Sequence, residues 1–251
     1  MNTAEQRIWA VIPAAGVGAR MRSHVPKQYL PLLDKTVIEH TLEIFISHRA
    51  VAGIVVAISP NDAYWSDLNI NDERIQVVDG GEERCLSVQN CLTHLLEHTD
   101  KDDWVMVHDA ARPCLRHADI DRLIKVVIEK DTGGLLAMPV SDTMKQSDEH
   151  GYVEQTLDRS KLWHAQTPQM YRLGQLSQAL HSAQVSGQVV TDEASAIELC
   201  GEQSLLVEGS SDNIKITHPQ DLQLAAFFLQ HSLQPDEVIN DELDGLVADD
   251  G

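Results

Sequence analysis

The stretch VIPAAGVGARM, residues 11–21, runs from an apolar segment into two glycines and a cation, Arg20. The residues that follow, RSHVPKQYLPL, add a second cation at Lys27. Glycine tolerates positive φ and places no side chain between backbone amides and a ligand, and consecutive amides of this kind can bind phosphate. The stretch therefore predicts a buried strand followed by an anion-binding loop. The plainer interpretation is that both cations are solvated surface charges.

Two common phosphate-binding patterns do not fit this stretch. The dinucleotide pattern G-x-G-x-x-G requires a third glycine where Met21 stands, and no GK[ST] follows the loop, as a P-loop requires. A triphosphate site fits better. Attack at an α-phosphorus moves negative charge onto oxygens that fixed cations such as Arg20 and Lys27 stabilise.

The composition limits the classes of partner. The 251 residues carry a formal net charge of -20, so nonspecific binding to nucleic acid or to an anionic membrane is not expected. No apolar run approaches the roughly 20 residues that cross a bilayer, and the N-terminal MNTAEQR lacks the apolar core of a secretory signal. Four cysteines without CxxC spacing argue against a zinc site and a disulfide framework. We therefore expect a cytoplasmic protein, in which an anionic substrate needs a local positive site.

Apolar runs alternate with segments of helical periodicity along the chain. The runs that predict buried strands lie at 9–13, 53–59, 76–78, 104–108 and 134–139. Helical spacing of apolar residues occurs at 36–47, 84–96, 119–129 and 219–231. This alternation predicts an α/β fold with a mostly parallel sheet and helices on both faces. Residues 1–231 are expected to form a single domain, since a chain of this length with 43% hydrophobic residues can bury one substantial core.

Two segments depart from the alternation. Residues 141–158 are polar, with a turn-like SDEHG in the middle, and predict a protruding β-hairpin arm that rests on a partner subunit. An ordinary surface loop is the alternative. Residues 232–251 hold seven acids and no Lys or Arg, which predicts a disordered acidic tail.

Eight blocks of sequence carry a resemblance to a known family. In chain order they are PAAGVGARM, VPKQYLPL, VDGGEERCLSV, VHDAARP, PVSDTMK, TLDRSKLWHAQTPQ, TDEASAIE and VEGSSDNIKIT. The set covers most of residues 9–217 and resembles the 2-C-methyl-D-erythritol 4-phosphate cytidylyltransferase family of nucleotidyltransferases. The resemblance implies a Rossmann-like nucleotidyltransferase sheet and transfer of CMP from CTP to methylerythritol phosphate. It also implies Mg²⁺ or another divalent cation as cofactor, without identifying its ligands, and a homodimer formed through the arm.

The resemblance also assigns roles to individual residues. The catalytic cations are Arg20, Lys27, Arg159 and Lys215. The nucleotide is bound by Pro13, Ala14, Ala15, Gly16, Gly18, Gly81, Glu82, Ser87, Asp109 and Ala110. The acceptor is bound by Asp109, Arg112, Thr143, Arg159, Thr167, Thr191 and Lys215. Of these, Thr143 and Arg159 are expected to reach the acceptor phosphate of the neighbouring subunit, where a guanidinium is well suited to hold a phosphate.

Several of these residues have a structural interpretation when the sequence is considered alone. The glycines at 80 and 81 could form only a turn, and Asp109 with Arg112 could only tie down a loop. Both lie after predicted strands, where ligands bind in open α/β sheets. Arg159 could instead pair with the adjacent Asp158.

Thr191 and Lys215 are also open to a second interpretation. Thr191 is predicted as the N-cap of a helix at 194–200. Lys215 is predicted on a short strand at 212–217, facing away from Ile214 and Ile216, where it serves either as a fixed charge for phosphate or as an exposed side chain. We assign Lys215 to the α-phosphate and to orientation of the acceptor.

Two other functions fit parts of the sequence. A cytidylyltransferase for another polyol phosphate, such as ribitol 5-phosphate, would use the same loop with a different acceptor pocket. A noncatalytic nucleotide-binding regulatory module would bind nucleotide and release no pyrophosphate. Measuring turnover with each acceptor separates these possibilities.

Overall fold

The computed structural model describes residues 7–16, 21 and 24–231. Its centre is a seven-stranded sheet in the order β11-β7-β10-β6-β1-β4-β5. These strands are β1 (Ile8–Pro13), β4 (Val51–Ile58), β5 (Ile75–Asp79), β6 (Trp104–Val107), β7 (Gly134–Pro139), β10 (Trp163–Arg172) and β11 (Leu205–Glu208). The two smaller sheets pair β2 (Pro31–Leu32) with β3 (Lys35–Thr36) and β8 (Met144–Ser147) with β9 (Val153–Leu157).

Six helices are assigned within the described residues. They are α1 (Val37–Ser47), α2 (Arg84–His98), α3 (His117–Lys130), α4 (Leu173–Val185), α5 (Glu193–Leu199) and α6 (Pro219–His231). Every neighbouring pair in the main sheet is parallel except the two that involve β10. The predicted α/β fold with a mostly parallel sheet is therefore confirmed.

The strands read as continuous apolar runs because both faces of the sheet are buried. In β1, Ile8, Ala10 and Ile12 pack into one core, which contains residues of α1 and α3. The alternate residues Trp9 and Val11 pack into a second core with α2, α4 and α5. Successive side chains of a strand point to opposite faces, so one apolar run supplies both cores.

The start of α1 shows how local sequence sets an element boundary. The Thr36 hydroxyl accepts a hydrogen bond from the backbone N–H of Glu39, and the Glu39 carboxylate accepts one from the backbone N–H of Thr36 at 2.7 Å. This capping box satisfies donors that the first turn leaves unpaired. The helix predicted at 36–47 is thus confirmed, with Thr36 as its cap.

The polar segment at 141–158 forms the predicted hairpin. Strands β8 and β9 pair antiparallel, and the Lys145 ammonium donates to the Thr156 hydroxyl across them at 2.6 Å. Tyr152 and Val153 near its turn are 74% and 64% exposed. An exposed two-stranded hairpin is marginally stable in isolation. The tail predicted at 232–251 lies outside the described residues.

The closing helix predicted at 219–231 is confirmed as α6. The fully buried Ala225 anchors it against a small core that includes Met21, Leu32 and Ile216. Within the part of the chain that the structure describes, no helix combines the length and apolar character needed to span a bilayer.

We expect Gly53→Ala to destabilise the fold through overpacking. Gly53 lies opposite Trp9 in the sheet, and a Cβ at this position would overlap the Trp9 ring. The ring cannot move freely, because its indole N–H donates to the Asp103 carboxylate at 3.2 Å. The free energy of unfolding should fall by about 1–3 kcal/mol, measured by urea titration with tryptophan fluorescence.

The adjacent exposed residue supplies the control for this variant. Ala52→Ser should change the free energy of unfolding by no more than about 0.5 kcal/mol. Equal stability of the two variants would show that the strand accommodates a side chain at Gly53.

Candidate active site

A cleft of about 330 Å³ lies at the carboxyl ends of β1, β5 and β6. In open α/β sheets this is the edge where ligands bind. Most of the residues predicted to contact the nucleotide line it, together with two of the predicted catalytic cations. They are Pro13, Ala14, Ala15, Gly16, Gly81, Glu82, Ser87, Asp109 and Ala110, with Lys27 and Lys215. The predicted Gly18 and Arg20 lie outside the described residues.

The loop after β1 is fixed by hydrogen bonds from a side chain that the sequence analysis did not identify. Gln28 is 4% exposed, and its amide donates to the carbonyls of Ala14 at 2.6 Å and Gly16 at 3.1 Å. These bonds occupy backbone acceptors of the loop. The wall of the cleft that the loop forms is consequently fixed by the residue directly after Lys27.

The second wall of the cleft comes from the turn between β5 and α2. The Ser87 hydroxyl accepts from the backbone N–H of Gly81 at 3.1 Å and donates to the carbonyl of Glu83 at 3.2 Å. Ser87 is 2% exposed, so its hydroxyl shapes this turn. The alternative interpretation of the two glycines as a turn therefore describes the local structure, while Gly81 and Ser87 also line the cleft.

Lys27 and Lys215 come together from opposite ends of the chain. Lys27 begins a short 3-10 turn, Lys27–Tyr29, and its ammonium donates to the carbonyl of Ile216 at 2.9 Å. The Lys215 ammonium lies 2.8 Å from the Asp109 carboxylate. Two cations separated by most of the sequence thus share one cleft, as the sequence predicted.

The prediction of a strand around Lys215 is wrong. Residues 212–217 adopt no regular structure, and Ile216 makes one backbone hydrogen bond, to the carbonyl of Ala111 at 2.8 Å, instead of a strand ladder. The expected alternation nevertheless holds, because Ile216 is buried and Ile214 packs against the same core. Lys215 faces the cleft from a loop.

Asp109 is the centre of the charged groups in this cleft. Its Oδ1 accepts from Nε of Arg84 at 2.9 Å, and its Oδ2 lies 2.8 Å from the ammonium of Lys215 and 3.4 Å from Nε of Arg112. Burial would raise the pKa of Asp109, but Arg84, Lys215 and Arg112 outweigh burial and hold that pKa well below its usual range. Asp109 is therefore a fixed negative charge.

Arg112 connects two loops at the edge of the cleft. Besides Asp109, its guanidinium contacts the carbonyl of Asn213 at 2.7 Å, and its side chain is 12% exposed. Burial lowers the pKa of Arg112. These contacts agree with the alternative interpretation, in which Asp109 and Arg112 tie down a loop. They also place a cation beside Asp109.

The buried side chain of His108 is linked to the backbone of Asp109 through the Thr167 hydroxyl. The Thr167 hydroxyl accepts from the backbone N–H of Asp109 at 3.1 Å and lies 3.0 Å from Nδ1 of His108. Nε2 of His108 lies 3.0 Å from the Arg112 carbonyl, which can only accept, so we assign the proton to Nε2 and leave Nδ1 to accept from Thr167. Burial lowers the pKa of His108 to about 4 and keeps it neutral.

The remaining predicted acceptor residues do not line this cleft. Thr143 and Arg159 are exposed on the arm and at its base, and the Arg159 guanidinium donates to the carbonyl of Ser141. Asp158 accepts from Ser160, at its backbone N–H and its hydroxyl, and no contact with Arg159 is observed within the described residues.

Thr191 lies in a separate depression next to the cleft, where its neighbours include Arg84 and Glu193. Its predicted role as a helix N-cap is wrong by one residue. Asp192 caps α5, since its carboxylate accepts from the backbone N–H of Ser195 at 3.0 Å, and the Ser195 hydroxyl accepts from the backbone N–H of Asp192 at 3.2 Å. A carboxylate caps as well as a hydroxyl does, so the T-D pair was ambiguous.

Sequence reasoning also missed the pair formed by Arg84 and Glu193. The Arg84 guanidinium donates to both Glu193 oxygens, at 2.7 and 3.1 Å, although the two residues are 109 positions apart. Each stands in a block that carried the family resemblance, but spacing in sequence does not reveal a contact between distant blocks.

Comparison with protein families gives a specific match. The family described as 2-C-methyl-D-erythritol 4-phosphate cytidylyltransferase (IspD) matches residues 8–231. The protein of this name from Pseudomonas putida F1 is 54% identical over 217 residues, which are 86% of this chain and 92% of that protein. The one from Hahella chejuensis is 47% identical over 234 residues, or 93% of this chain and 97% of that protein.

Solved structures agree with these matches. The crystal structure of the cytidylyltransferase from Francisella tularensis is 40% identical, with a TM-score of 0.77 over 88% of this chain and 99% of that one. The structure from Thermus thermophilus is 29% identical, with a TM-score of 0.72 over 89% and 99% of the two chains.

The buried His108 should make stability depend on pH. Its pKa is lowered from 6.5 to about 4, so the unfolded chain binds the proton more readily between these values. The contribution of His108 is complete above pH 6.5 and is lost as the pH falls toward 4, to a total of about 3 kcal/mol. Urea titrations between about pH 4.5 and 7 measure this loss.

His108→Gln supplies the comparison, because it keeps a side chain that can hydrogen-bond and removes the titration. The variant should show a smaller fall in the free energy of unfolding over the same range. His48, whose pKa burial also lowers, contributes equally to both proteins. Identical pH dependence of the two proteins would contradict the assignment.

Proposed function

The chain belongs to the 2-C-methyl-D-erythritol 4-phosphate cytidylyltransferase family, and we propose that its cleft carries out the reaction of that family. CMP is transferred from CTP to 2-C-methyl-D-erythritol 4-phosphate, which yields CDP-methylerythritol and pyrophosphate. The observation that carries this proposal is the meeting of Lys27 and Lys215 beside the glycine loop after β1. In a chain with a net charge of -20, this pairing supplies the local positive field that a triphosphate needs.

The chemical step requires little from protein side chains as acids or bases. The acceptor is a phosphate monoester with a second pKa of about 6, so its oxygen is already anionic near neutral pH. This oxygen attacks the α-phosphorus in line, and the bond to the bridging oxygen of pyrophosphate breaks. Lys27 and Lys215 stabilise the charge that develops on the phosphate oxygens, and Arg20 is assigned the same role from the sequence.

We assign the cytosine to the wall formed by the loop after β1 and the turn before α2. Ala14, Ala15 and Gly81 bring no bulky side chain to this part of the cleft, and Glu82 and Ser87 lie beside them. A cytosine presents an amino donor and a carbonyl acceptor, which backbone groups at such positions can pair with.

We assign the acceptor to the side of the cleft around Asp109. Arg112 adjoins Asp109, Thr167 lies behind it, and Thr191 lies in the adjoining depression. Thr143 and Arg159 lie on or at the base of the arm and are not among the residues that line the cleft of the same chain. We therefore propose a homodimer in which the arm brings these two residues to the acceptor phosphate of the partner.

Mg²⁺ fits this cleft as an ion that arrives with CTP. Within residues 7–16, 21 and 24–231, no three His, Cys, Asp or Glu side chains converge to hold a metal. Asp109 is already occupied by three cations, which leaves Glu82 and Glu83 as exposed carboxylates on the cleft wall. Mg²⁺ is commonly held by substrate phosphates with one or two carboxylates, and it would neutralise triphosphate charge here.

Two assays test the substrate assignment. Turnover with CTP should be faster with methylerythritol phosphate than with ribitol 5-phosphate, and the opposite order would make the chain a different polyol-phosphate cytidylyltransferase. Pyrophosphate should be released only when CTP and acceptor are both present. A noncatalytic nucleotide-binding module would release none under any condition.

We place the reaction in the cytoplasm, where the four free thiols would stay reduced.

Lys215→Gln should abolish most turnover without unfolding the protein. The variant removes one cation from Asp109 and from the phosphates, while Arg84 and Arg112 still hold Asp109. We expect kcat to fall about 10²–10³-fold, by analogy with the removal of a donor that stabilises a developing oxyanion. The control is Lys125→Gln on the exposed surface of α3, which should keep full activity. A kcat of Lys215→Gln equal to that of the control would remove Lys215 from the mechanism.

The role of the arm predicts complementation between two inactive variants. Arg159→Gln removes the arm cation and Lys215→Gln removes the cleft cation, so each homodimer should be inactive. After mixing and subunit exchange, half of the dimers are mixed, and each mixed dimer has one site with both cations. Activity should therefore recover to about a quarter of that of the wild type. A monomeric mass in solution, or no recovery in dimers shown to have exchanged, would refute a role for Arg159 in the partner's site.

A further inference from the structure

Arg84 lines the cleft and binds two carboxylates, Asp109 and Glu193. Its Nε donates to Asp109 at 2.9 Å, and Nη1 and Nη2 donate to the two oxygens of Glu193 at 2.7 and 3.1 Å. A guanidinium in this arrangement has its fork directed at one carboxylate and its Nε at another. Burial would lower the pKa of Arg84, but Glu193 and Asp109 outweigh burial and raise it. Arg84 is therefore a permanent cation whose Nε and both Nη atoms are directed at carboxylates.

Glu193 is buried, and the residues on either side of it are fixed by hydrogen bonds. Its side chain is 1% exposed, and it is the first residue of α5. The next residue, Ala194, donates its backbone N–H to the Gln169 carboxamide oxygen at 2.8 Å, and the Gln169 nitrogen donates to Asp192 at 2.8 Å. Glu193 is thus anchored on both sides to β10.

The contacts form a continuous series from α5 to the cleft. Glu193 binds Arg84, Arg84 binds one oxygen of Asp109, and the other oxygen of Asp109 binds Lys215. Glu193 is also two positions from Thr191, in the same depression that Arg84 lines. The buried carboxylate of Glu193 therefore contacts Arg84, which binds Asp109, and it also adjoins the loop that carries Thr191.

We propose that Glu193 is a positioning residue, which acts through Arg84 to orient Asp109 and the acceptor side of the cleft and keeps Arg84 from binding the phosphate anions. This inference rests on the proposed function, in which Asp109, Thr191 and Lys215 serve the acceptor. Without Glu193, the guanidinium loses its fixed partner and is free to follow the anions in the cleft. Asp109 then loses the contact that fixes its Oδ1.

The test measures KM for each substrate, kcat and melting temperature in Glu193→Gln. We expect KM for methylerythritol phosphate to rise about 10-fold and kcat to fall about 10-fold or more, as for other displaced positioning groups. KM for CTP should stay the same or fall, because removing a carboxylate raises the positive potential of the cleft. A lower folded fraction alone would reduce kcat and leave both KM values unchanged. Glu198→Gln, exposed on the same helix, is the matched control and should behave as the wild type.

The double variant Arg84→Gln with Glu193→Gln separates positioning from charge balance. It leaves no unpaired member of the pair, so the melting temperature should return toward that of the wild type if the single variant lowers it. KM for the acceptor should stay high, because nothing orients Asp109 from that side. If the single variant does not fold, the double variant alone carries the test.

Three results would overturn the inference. The first is an acceptor KM in Glu193→Gln, or in the double variant if the single one does not fold, that stays within about twofold of the wild type. The second is a parallel rise of both KM values. The third is a double variant that regains the wild-type acceptor KM together with its stability. Absence of CMP transfer by the wild type would instead overturn the proposed function, and the inference with it.

Discussion

The active cleft depends on one buried carboxylate that binds three cations. Asp109 receives Arg84, Arg112 and Lys215, which come from α2, from the loop after β6 and from the loop before α6. Hydrophobic burial alone would not fix the relative positions of these segments, since it has no direction. The short contacts of Asp109 do have direction, and they bring cations from distant parts of an acidic chain to one place.

The sheet determines where this carboxylate lies. Parallel strands end at a common edge, so the residues that follow β1, β5 and β6 necessarily meet there. The loop after β1 supplies the small residues Ala14, Ala15 and Gly16, and Gln28 binds the carbonyls of Ala14 and Gly16. The loop after β6 supplies Asp109, with its backbone N–H held by Thr167. Both loops are thereby tied to neighbouring parts of the fold.

The sequence predicted the features that depend on local patterns. Apolar runs predicted the strands because both faces of the sheet are buried, and the helical spacing of apolar residues at 36–47 predicted α1. The prediction failed where tertiary contacts decide. Residues around Lys215 alternate like a strand, but Ile216 finds a single backbone partner, Ala111, where a strand would find a ladder. The pairing of Arg84 with Glu193 depends on the fold of two distant segments, so no local pattern contains it.

The charge count of the cluster explains why a carboxylate as remote as Glu193 matters. Arg84, Arg112 and Lys215 supply three positive charges, and Asp109 with Glu193 supplies two negative ones, so the cluster carries one net positive charge. Three cations around a single carboxylate would repel one another in a partly buried site, where screening is weak. Glu193 offsets that repulsion at Arg84, whose guanidinium it binds. Within this cluster Lys215 pairs with Asp109 alone and lines the cleft, so the position of a buried anion decides how the positive charge is distributed around the cleft.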